Sequence, residues 1–107
     1  MTFVPSKKST LLIPSGETNH LFVILTDACS QHQHLLVSFS TIRQECFHDP
    51  SCIVTEGEHP FIKHPSFLAY NHARTELHSH LVKCVSGWTF RPHAPVTDDL
   101  FEKICRG

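Results

Sequence analysis

The sequence has no long hydrophobic run. Near the N-terminus, residues 11–13 are apolar, but they follow Lys7 and Lys8 and end at Pro14. A signal peptide needs about 7–15 consecutive apolar residues and a membrane-spanning helix needs about 20, so this stretch predicts neither. We therefore expect a cytoplasmic protein that does not associate with a membrane.

The sequence also lacks a cysteine framework. Its five cysteines are an odd number, and no two of them form a CxxC pair. This pattern favours free thiols, mostly buried, in a reducing compartment. Cysteines and histidines cluster in three places, but each group is one ligand short of tetrahedral zinc and lacks the usual paired spacing. The groups are Cys29, His32 and His34; Cys46, His48 and Cys52; and His78, His80 and Cys84. We predict no metal and no cofactor, and a metal-dependent protein built on one of these groups is the least favoured alternative.

An excess of one charge is absent too. Nine Lys and Arg residues oppose ten Asp and Glu residues, which leaves a formal charge of -1. Such a chain has no global basic field, so nucleic-acid binding would require a local basic patch. Ten histidines make this balance sensitive to mild acid, because a histidine titrates near pH 6.5.

The length of 107 residues is enough for one domain with its own core, which we expect to span residues 1–107. Residues 1–9 are polar and are expected to form a flexible lead. Short β-branched and aromatic runs follow at intervals of roughly ten residues, which is typical of a small barrel or sandwich. The predicted strands are 10–13, 20–26, 34–40, 52–55 and 66–70, and the second is expected to be buried on both faces. The Pro14-Ser15-Gly16 run predicts a turn after the first of them.

The C-terminal part favours a helix. Thr97 is a good N-cap, Asp98 and Asp99 suit the positive end of the helix dipole, and an apolar face follows. This face is Leu100, Phe101, Ile104 and Cys105, so we predict a helix over 97–106. The segment 76–84 has helical spacing but leaves open a strand over 82–89, and Pro92 and Pro95 predict a break.

The order of these elements and several short motifs carry a resemblance to a known family. The motifs are VILTD (23–27), SFST (38–41), PSFLAYNHART (65–75) and VTDDLFEKI (96–104). From about residue 10 to 106 the chain resembles the MazF/PemK (CcdB-like) toxins. The resemblance implies a mainly β fold, a small SH3-like barrel with a short C-terminal helix. It also implies a homodimer that cleaves RNA and is neutralised by an antitoxin.

The chain departs from the family pattern where the family keeps charge. The family's Gly-x-Arg-Pro before the second strand corresponds to residues 16–20, which contain no arginine. An Arg-x-Asp pair that one branch keeps in the fifth strand corresponds to Ala69 and Asn71. The Ser/Thr at the end of the third strand has a match in Ser40 or Thr41. The resemblance therefore implies a divergent member whose catalytic groups are not simply those of the family.

Four residues are predicted to supply the chemistry of metal-independent RNA cleavage. Attack by a 2′-hydroxyl needs a base for its proton, an acid for the leaving oxygen and a cation for the phosphorane charge. We predict that His20, His72 and Arg74 fill these roles and that Thr41 positions a phosphate. The alternative is that both histidines are ordinary strand-end residues.

A second group favours phosphate or RNA binding. Lys63, His64 and Ser66 lie at one corner between two phenylalanines, and Arg43 could replace the missing family arginine. Both predictions have a simpler alternative. The corner residues Lys63, His64 and Ser66 are then only solvated, while the two phenylalanines fill the core. Arg43 then forms an ion pair with Glu45.

Two functional interpretations follow. The first is a divergent MazF/PemK-like endoribonuclease toxin with an antitoxin-like partner. The alternative is a catalytically inactive SH3-like barrel that binds a protein or nucleic-acid partner. The two differ in whether His20, Thr41, His72 and Arg74 converge on one groove. Trp88 is expected in the core or, together with the Phe101 and Ile104 face, in a homodimer contact.

Overall fold

The computed structural model describes residues 3–15, 18–44 and 47–107, except for the side chain of Ser15. Gly16, Glu17, Glu45 and Cys46, which entered the predictions, lie outside these ranges. The described chain is mainly β, as predicted, with seven strands, a short 3₁₀ turn at Tyr70–His72 and two α-helices. The strands are β1 (Thr10–Ser15), β2 (Thr18–Ile24), β3 (Gln33–Thr41), β4 (Ile53–Val54), β5 (Ser66–Leu68), β6 (Arg74–Leu77) and β7 (Arg91–His93). The helices are α1 (His78–Ser86) and α2 (Asp98–Arg106).

The strands form one antiparallel sheet in the order β4-β5-β3-β2-β1-β7, and β6 pairs with β3 beside β5. Within the described ranges no ladder joins β4 to β7, so the sheet is open. Strand β1 continues past the predicted end at Ile13, because Pro14 pairs with Asn19 and Ser15 with Thr18. Among the described residues, no helix is long and apolar enough to cross a membrane.

Strand β2 is the centre of the core, as its sequence predicts. Four successive residues, Leu21 to Ile24, are buried. Because side chains alternate across a strand, Leu21 and Val23 join a cluster on one face of the sheet, whereas Phe22 and Ile24 join a second cluster on the other. The sheet therefore separates two apolar cores.

Helix α2 closes the first of these cores and confirms the predicted terminal helix. The Thr97 side chain accepts a hydrogen bond from the Leu100 N–H at 3.2 Å, which satisfies one of the free N–H groups of the first turn. Leu100 and Ile104 are buried against the sheet and Phe101 is partly buried. Cys105 is exposed, so its predicted place on the apolar face was wrong.

The segment after β5 differs most from the prediction. The chain forms β6 first and then α1, which continues to Ser86, so the alternative strand over 82–89 was wrong. Pro92 does not break the structure. It lies in β7 and pairs with Leu11 of β1 at the edge of the sheet, where a residue without an N–H is tolerated.

Burial also corrects two predictions about single residues. Among the described cysteines, Cys52 is buried and Cys84 is half-buried, whereas Cys29 and Cys105 are exposed, so the thiols are not mostly buried. Trp88 is 70% exposed and therefore is not part of the core. Ile104 is buried within the protomer, so it is not available for a contact between two copies.

Trp88 also has an unusual backbone. It follows the C-cap Gly87 of α1 and has φ of 61°, the left-handed region that a residue with a Cβ enters at a cost of about 1–2 kcal/mol. We expect Trp88→Gly to be more stable than Trp88→Ala by about 1 kcal/mol, because both lose the same exposed ring but only glycine relieves the backbone. Urea unfolding of the two variants measures this difference. Equal stability would show that the backbone at this position is not strained.

Candidate functional site

Three adjoining cavities share Ser40 as a lining residue, and two of them lie beside the point where the ladder between β2 and β3 ends. The two strands pair as far as Phe22 and Ser38, and a continued ladder would place His20 opposite Ser40. Beyond Phe22 and Ser38 the ladder stops, although β2 continues along β1, where His20 pairs with Ile13, and β3 continues along β5, where Ser40 pairs with Phe67. The strands therefore diverge beyond this point, and the gap between them leaves open space at the end of the sheet.

The first groove has a volume of about 540 Å³ and lies between the end of β3 and the corner before β5. It is lined by Thr18, Asn19, His20, Leu21, Phe39, Ser40, Thr41, Arg43, Phe61, Ile62, Lys63, His64 and Ser66. The second groove has a volume of about 340 Å³ and is lined by Ile13, Pro14, His20, Phe22, Ser38, Ser40, His72 and Arg74. His20 and Ser40 line both grooves, so the two are neighbours with a shared wall.

All eight residues predicted as catalytic or RNA-binding line one of these two grooves. His20, Thr41, Arg43, Lys63, His64 and Ser66 lie along the first. His72 and Arg74 lie along the second, together with His20. Thr41 therefore lies in the first groove with the phosphate-binding candidates, whereas His20, His72 and Arg74 line the second groove together.

The charge of these grooves is of one sign. Arg43, Lys63 and Arg74 line them with positive charge, and no aspartate or glutamate is among the described residues that line either one. A chain with a net charge of -1 thus carries the local basic patch that its overall composition does not indicate. Such a concave positive surface attracts phosphate groups.

Contacts within the protein restrict two of these residues. The Nε of Arg74 lies 3.2 Å from Oε1 of Glu76, and its guanidinium carbon lies 4.8 Å from the centroid of the Phe22 ring. These contacts hold the guanidinium against the sheet at the mouth of the second groove. Ser66 is buried, and its hydroxyl donates to the His64 carbonyl at 2.9 Å, so it shapes the first groove rather than offering an exposed donor.

A third cavity was not predicted from the sequence. It has a volume of about 330 Å³ and is lined by Ser40, Phe47, His48, Asp49, Phe67, Ala69, Asn71 and His72. His72 and Ser40 also line the second groove, so the three cavities follow one another along the end of the sheet. The signal was the Phe47-His48-Asp49 run, an aromatic and two titratable residues in a loop, of which only His48 entered a prediction, as a member of a Cys and His group.

Comparisons with protein-family models, with curated proteins and with solved structures each give no match. The geometry and chemistry of these cavities are therefore the observations that bear on function.

The least favoured alternative was a metal site built on one of the three Cys and His groups. Among the described residues, no group of three or more His, Cys, Asp or Glu side chains is placed to hold a metal ion. Both ring nitrogens of buried His34 are already engaged: Nδ1 lies 2.8 Å from the Thr26 carbonyl and Nε2 lies 2.9 Å from Nδ1 of His78. Cys46 lies outside the described part of the chain.

His59 is a structural histidine that acid should disturb. It is 2% exposed, its Nε2 donates to the Ala94 carbonyl at 2.6 Å, and its Nδ1 accepts from the Phe61 N–H at 3.1 Å. Burial lowers the pKa of His59 below 6.5, nearby His93 lowers it further, and the Ala94 carbonyl opposes the shift. The neutral ring fits both contacts, whereas a second ring proton would face the Phe61 N–H.

Lowering the pH through 6.5 is therefore expected to destabilise the protein through His59. The unfolded chain binds a proton there more readily than the folded one, so this contribution is present above pH 6.5 and is lost as the pH falls toward the lower folded pKa. His59→Gln should flatten this part of the stability profile, and His64→Gln, at an exposed histidine, should not. Urea unfolding between pH 7.5 and 5 measures the slope, and parallel profiles of wild type and His59→Gln would contradict the assignment.

Proposed function

We propose that this protein binds single-stranded RNA along the first two grooves and cleaves it without a metal ion. The observation that carries this proposal is that His20 and His72 line one cavity together with Arg74. These residues come from β2, from the 3₁₀ turn after β5 and from β6. Two imidazoles and a guanidinium supply the base, the acid and the cation that cleavage at a ribose phosphate needs.

The reaction is an internal transfer of the phosphoryl group. One histidine takes the proton of the 2′-hydroxyl, whose oxygen attacks the adjacent phosphorus. The bond to the 5′-oxygen breaks, and the other histidine gives that oxygen its proton. The products are a 2′,3′-cyclic phosphate and a 5′-hydroxyl. Arg74 faces the charge that develops on the phosphorane oxygens.

The first groove holds the neighbouring part of the strand. Arg43 and Lys63 provide fixed positive charges for backbone phosphates, with Thr41 as a hydroxyl donor and exposed His64 beside them. Phe61 is 37% exposed at this groove and offers a ring face to a base. Phosphate contacts position the strand but do not depend on which base is present. Any sequence preference must therefore come from other parts of the surface.

We further propose that the chain is a divergent MazF/PemK-like toxin with the SH3-like barrel of that family. The antiparallel sheet of short strands and the capped closing helix α2 support this assignment. On this proposal the protein is a cytoplasmic homodimer, and an antitoxin-like protein neutralises it.

The alternative is a binding module that does not cleave. The observation that favours it is the position of Arg74, which already contacts Glu76 and the Phe22 ring. If Arg74 keeps these contacts when RNA is bound, its guanidinium is not free to stabilise the negative charge of the phosphorane in the second groove. The grooves would then bind RNA with the same charges and leave it intact.

One experiment separates the two functions. Purified protein is incubated with a mixed-sequence RNA oligonucleotide and chelator, beside the same sequence carrying 2′-O-methyl groups. We expect cleavage of the RNA alone, with cyclic phosphate ends in the products. Binding of both oligonucleotides without cleavage establishes the binding module, and no binding to either one rejects both functions.

A further inference from the structure

The third cavity differs in chemistry from the two grooves beside it. Its lining contains the carboxylate of Asp49, whereas the side chains that bring fixed charge to the grooves are the cations Arg43, Lys63 and Arg74. It shares His72 and Ser40 with the second groove. A nucleotide whose phosphate lies beside His72 therefore has this cavity within reach of its base.

The walls of the cavity offer ring faces. Phe47 is 91% exposed, although burying such a side chain would contribute about 1.5–3 kcal/mol. The His48 and Phe67 rings lie with centroids 5.7 Å apart at an angle of 45°, and both line the cavity with Phe47. Bases of single-stranded RNA bind by stacking on such rings.

Two polar side chains in the cavity differ in hydrogen-bonding character. The Asp49 Oδ1 accepts the Ser51 N–H at 2.9 Å, and the hydrogen bonds from Ser51 lower the pKa of this carboxyl. Asp49 is therefore an ionised, acceptor-only group at neutral pH. Asn71, on the 3₁₀ turn beside His72, adds an amide that can donate.

This pattern matches one base better than the others. The Watson–Crick edge of guanine has two adjacent donors, N1–H and the N2 amino group, which a carboxylate accepts together, and its O6 accepts from an amide. Adenine and cytosine present one amino donor beside a ring acceptor that would face the carboxylate. Uracil presents one N–H between two carbonyls.

We propose that the third cavity is a guanine subsite, with Phe47 and Phe67 providing stacking surfaces and Asp49 with Asn71 reading the base edge. The inference rests on the proposed RNA-binding function and adds its sequence preference. Cleavage is then directed to phosphates next to guanosine, because His72 belongs to both the subsite and the second groove.

Mononucleotide binding tests the subsite without requiring cleavage. GMP, AMP, CMP and UMP are titrated separately into the protein, and binding is followed by calorimetry or by NMR shifts. We expect GMP to bind about 10-fold or more tighter than the others, since a good bidentate contact to a base is worth about 1–3 kcal/mol. Equal binding of all four, or no binding, overturns the proposal.

Variants assign the preference to named side chains. Asp49→Asn should reduce the preference for GMP about 10-fold or more, whereas Phe47→Ala should weaken binding of all four nucleotides by a similar factor. Glu56→Gln is the matched control, because Glu56 is exposed and lines none of the three cavities. A preference that survives in Asp49→Asn overturns the role of Asp49. Because Phe47 is so exposed, its variant keeps the test valid even if Asp49→Asn does not fold.

The outcomes separate the subsite from the proposed function. A GMP preference in a protein that does not cleave RNA supports the subsite and rejects only the catalytic function. Cleavage at all phosphates, with no preference for GMP, supports the nuclease and overturns the subsite.

Discussion

Replacing His72 by alanine is expected to lower the rate of RNA cleavage at least about 100-fold, because a positioned acid or base contributes about 10²–10⁴ to such a reaction. His72 is exposed and lies in a short turn, so its loss should leave the fold intact. His20→Ala should have an effect of the same size, since His20 lines the same cavity. Initial rates on one RNA oligonucleotide at saturating substrate measure both effects.

The control for these variants is His80→Ala. His80 is an exposed histidine on α1 that lines none of the three cavities, and it contacts Cys84 and Glu76 instead. This variant should cleave RNA at the wild-type rate. If His72→Ala also cleaves at that rate, the two-histidine mechanism is wrong.

The pH profile gives a second readout of the same mechanism. One histidine must be neutral and the other protonated, so the wild-type rate should fall in both acid and alkaline solution. A variant that lacks one histidine should keep a slow reaction with only one of these limbs. A merely structural role for His72 would lower the rate without changing the shape of the profile.

Replacing Leu100 by alanine is expected to reduce the free energy of unfolding by about 2–5 kcal/mol. Leu100 is 3% exposed on α2 and joins the core cluster that contains Leu21, Val37 and Ile104. The truncation removes apolar contacts and leaves a cavity that the closely packed sheet cannot fully close. Since a domain of this size is typically stable by about 5–15 kcal/mol, the loss is a large share of the total.

Urea unfolding of Leu100→Ala beside Cys105→Ala tests this prediction. Both residues lie on α2, but Cys105 is exposed, so its substitution should change stability by no more than about 0.5 kcal/mol. Similar losses in the two variants would mean that α2 does not close the core through Leu100. The Thr97 cap is intact in both, so the comparison isolates burial from helix capping.

The strongest sequence signals were those that depend only on neighbouring residues. The continuous apolar run of β2 predicted a strand buried on both faces, and Leu21 to Ile24 are buried in two clusters. The Thr97 cap and the spacing of Leu100 and Ile104 predicted α2. Both patterns have local causes. Side chains alternate between the two faces of a strand, and the first N–H groups of a helix need a nearby acceptor such as the Thr97 side chain.

Long-range pairing was not predictable in the same way. Strand β7 contains Pro92, which indicates a break unless the strand lies at a sheet edge, and only its pairing with β1 places it there. The exposure of Trp88, Cys29 and Cys105 also depends on packing. A single apolar or thiol residue carries no information about which element will cover it.

For the candidate site, the sequence by itself determined which chemical groups the chain has: two strand-end histidines, an arginine after β5 and basic residues at a corner. Only the tertiary structure decided that these groups meet, because the separation of β2 from β3 beyond Phe22 and Ser38 opens the space that they line. The strands at this end of the sheet come from distant parts of the chain, since β1 pairs with β2 and β5 pairs with β3. The third cavity lies beside His72, and no local pattern joined its Phe47 and Asp49 to the other groups.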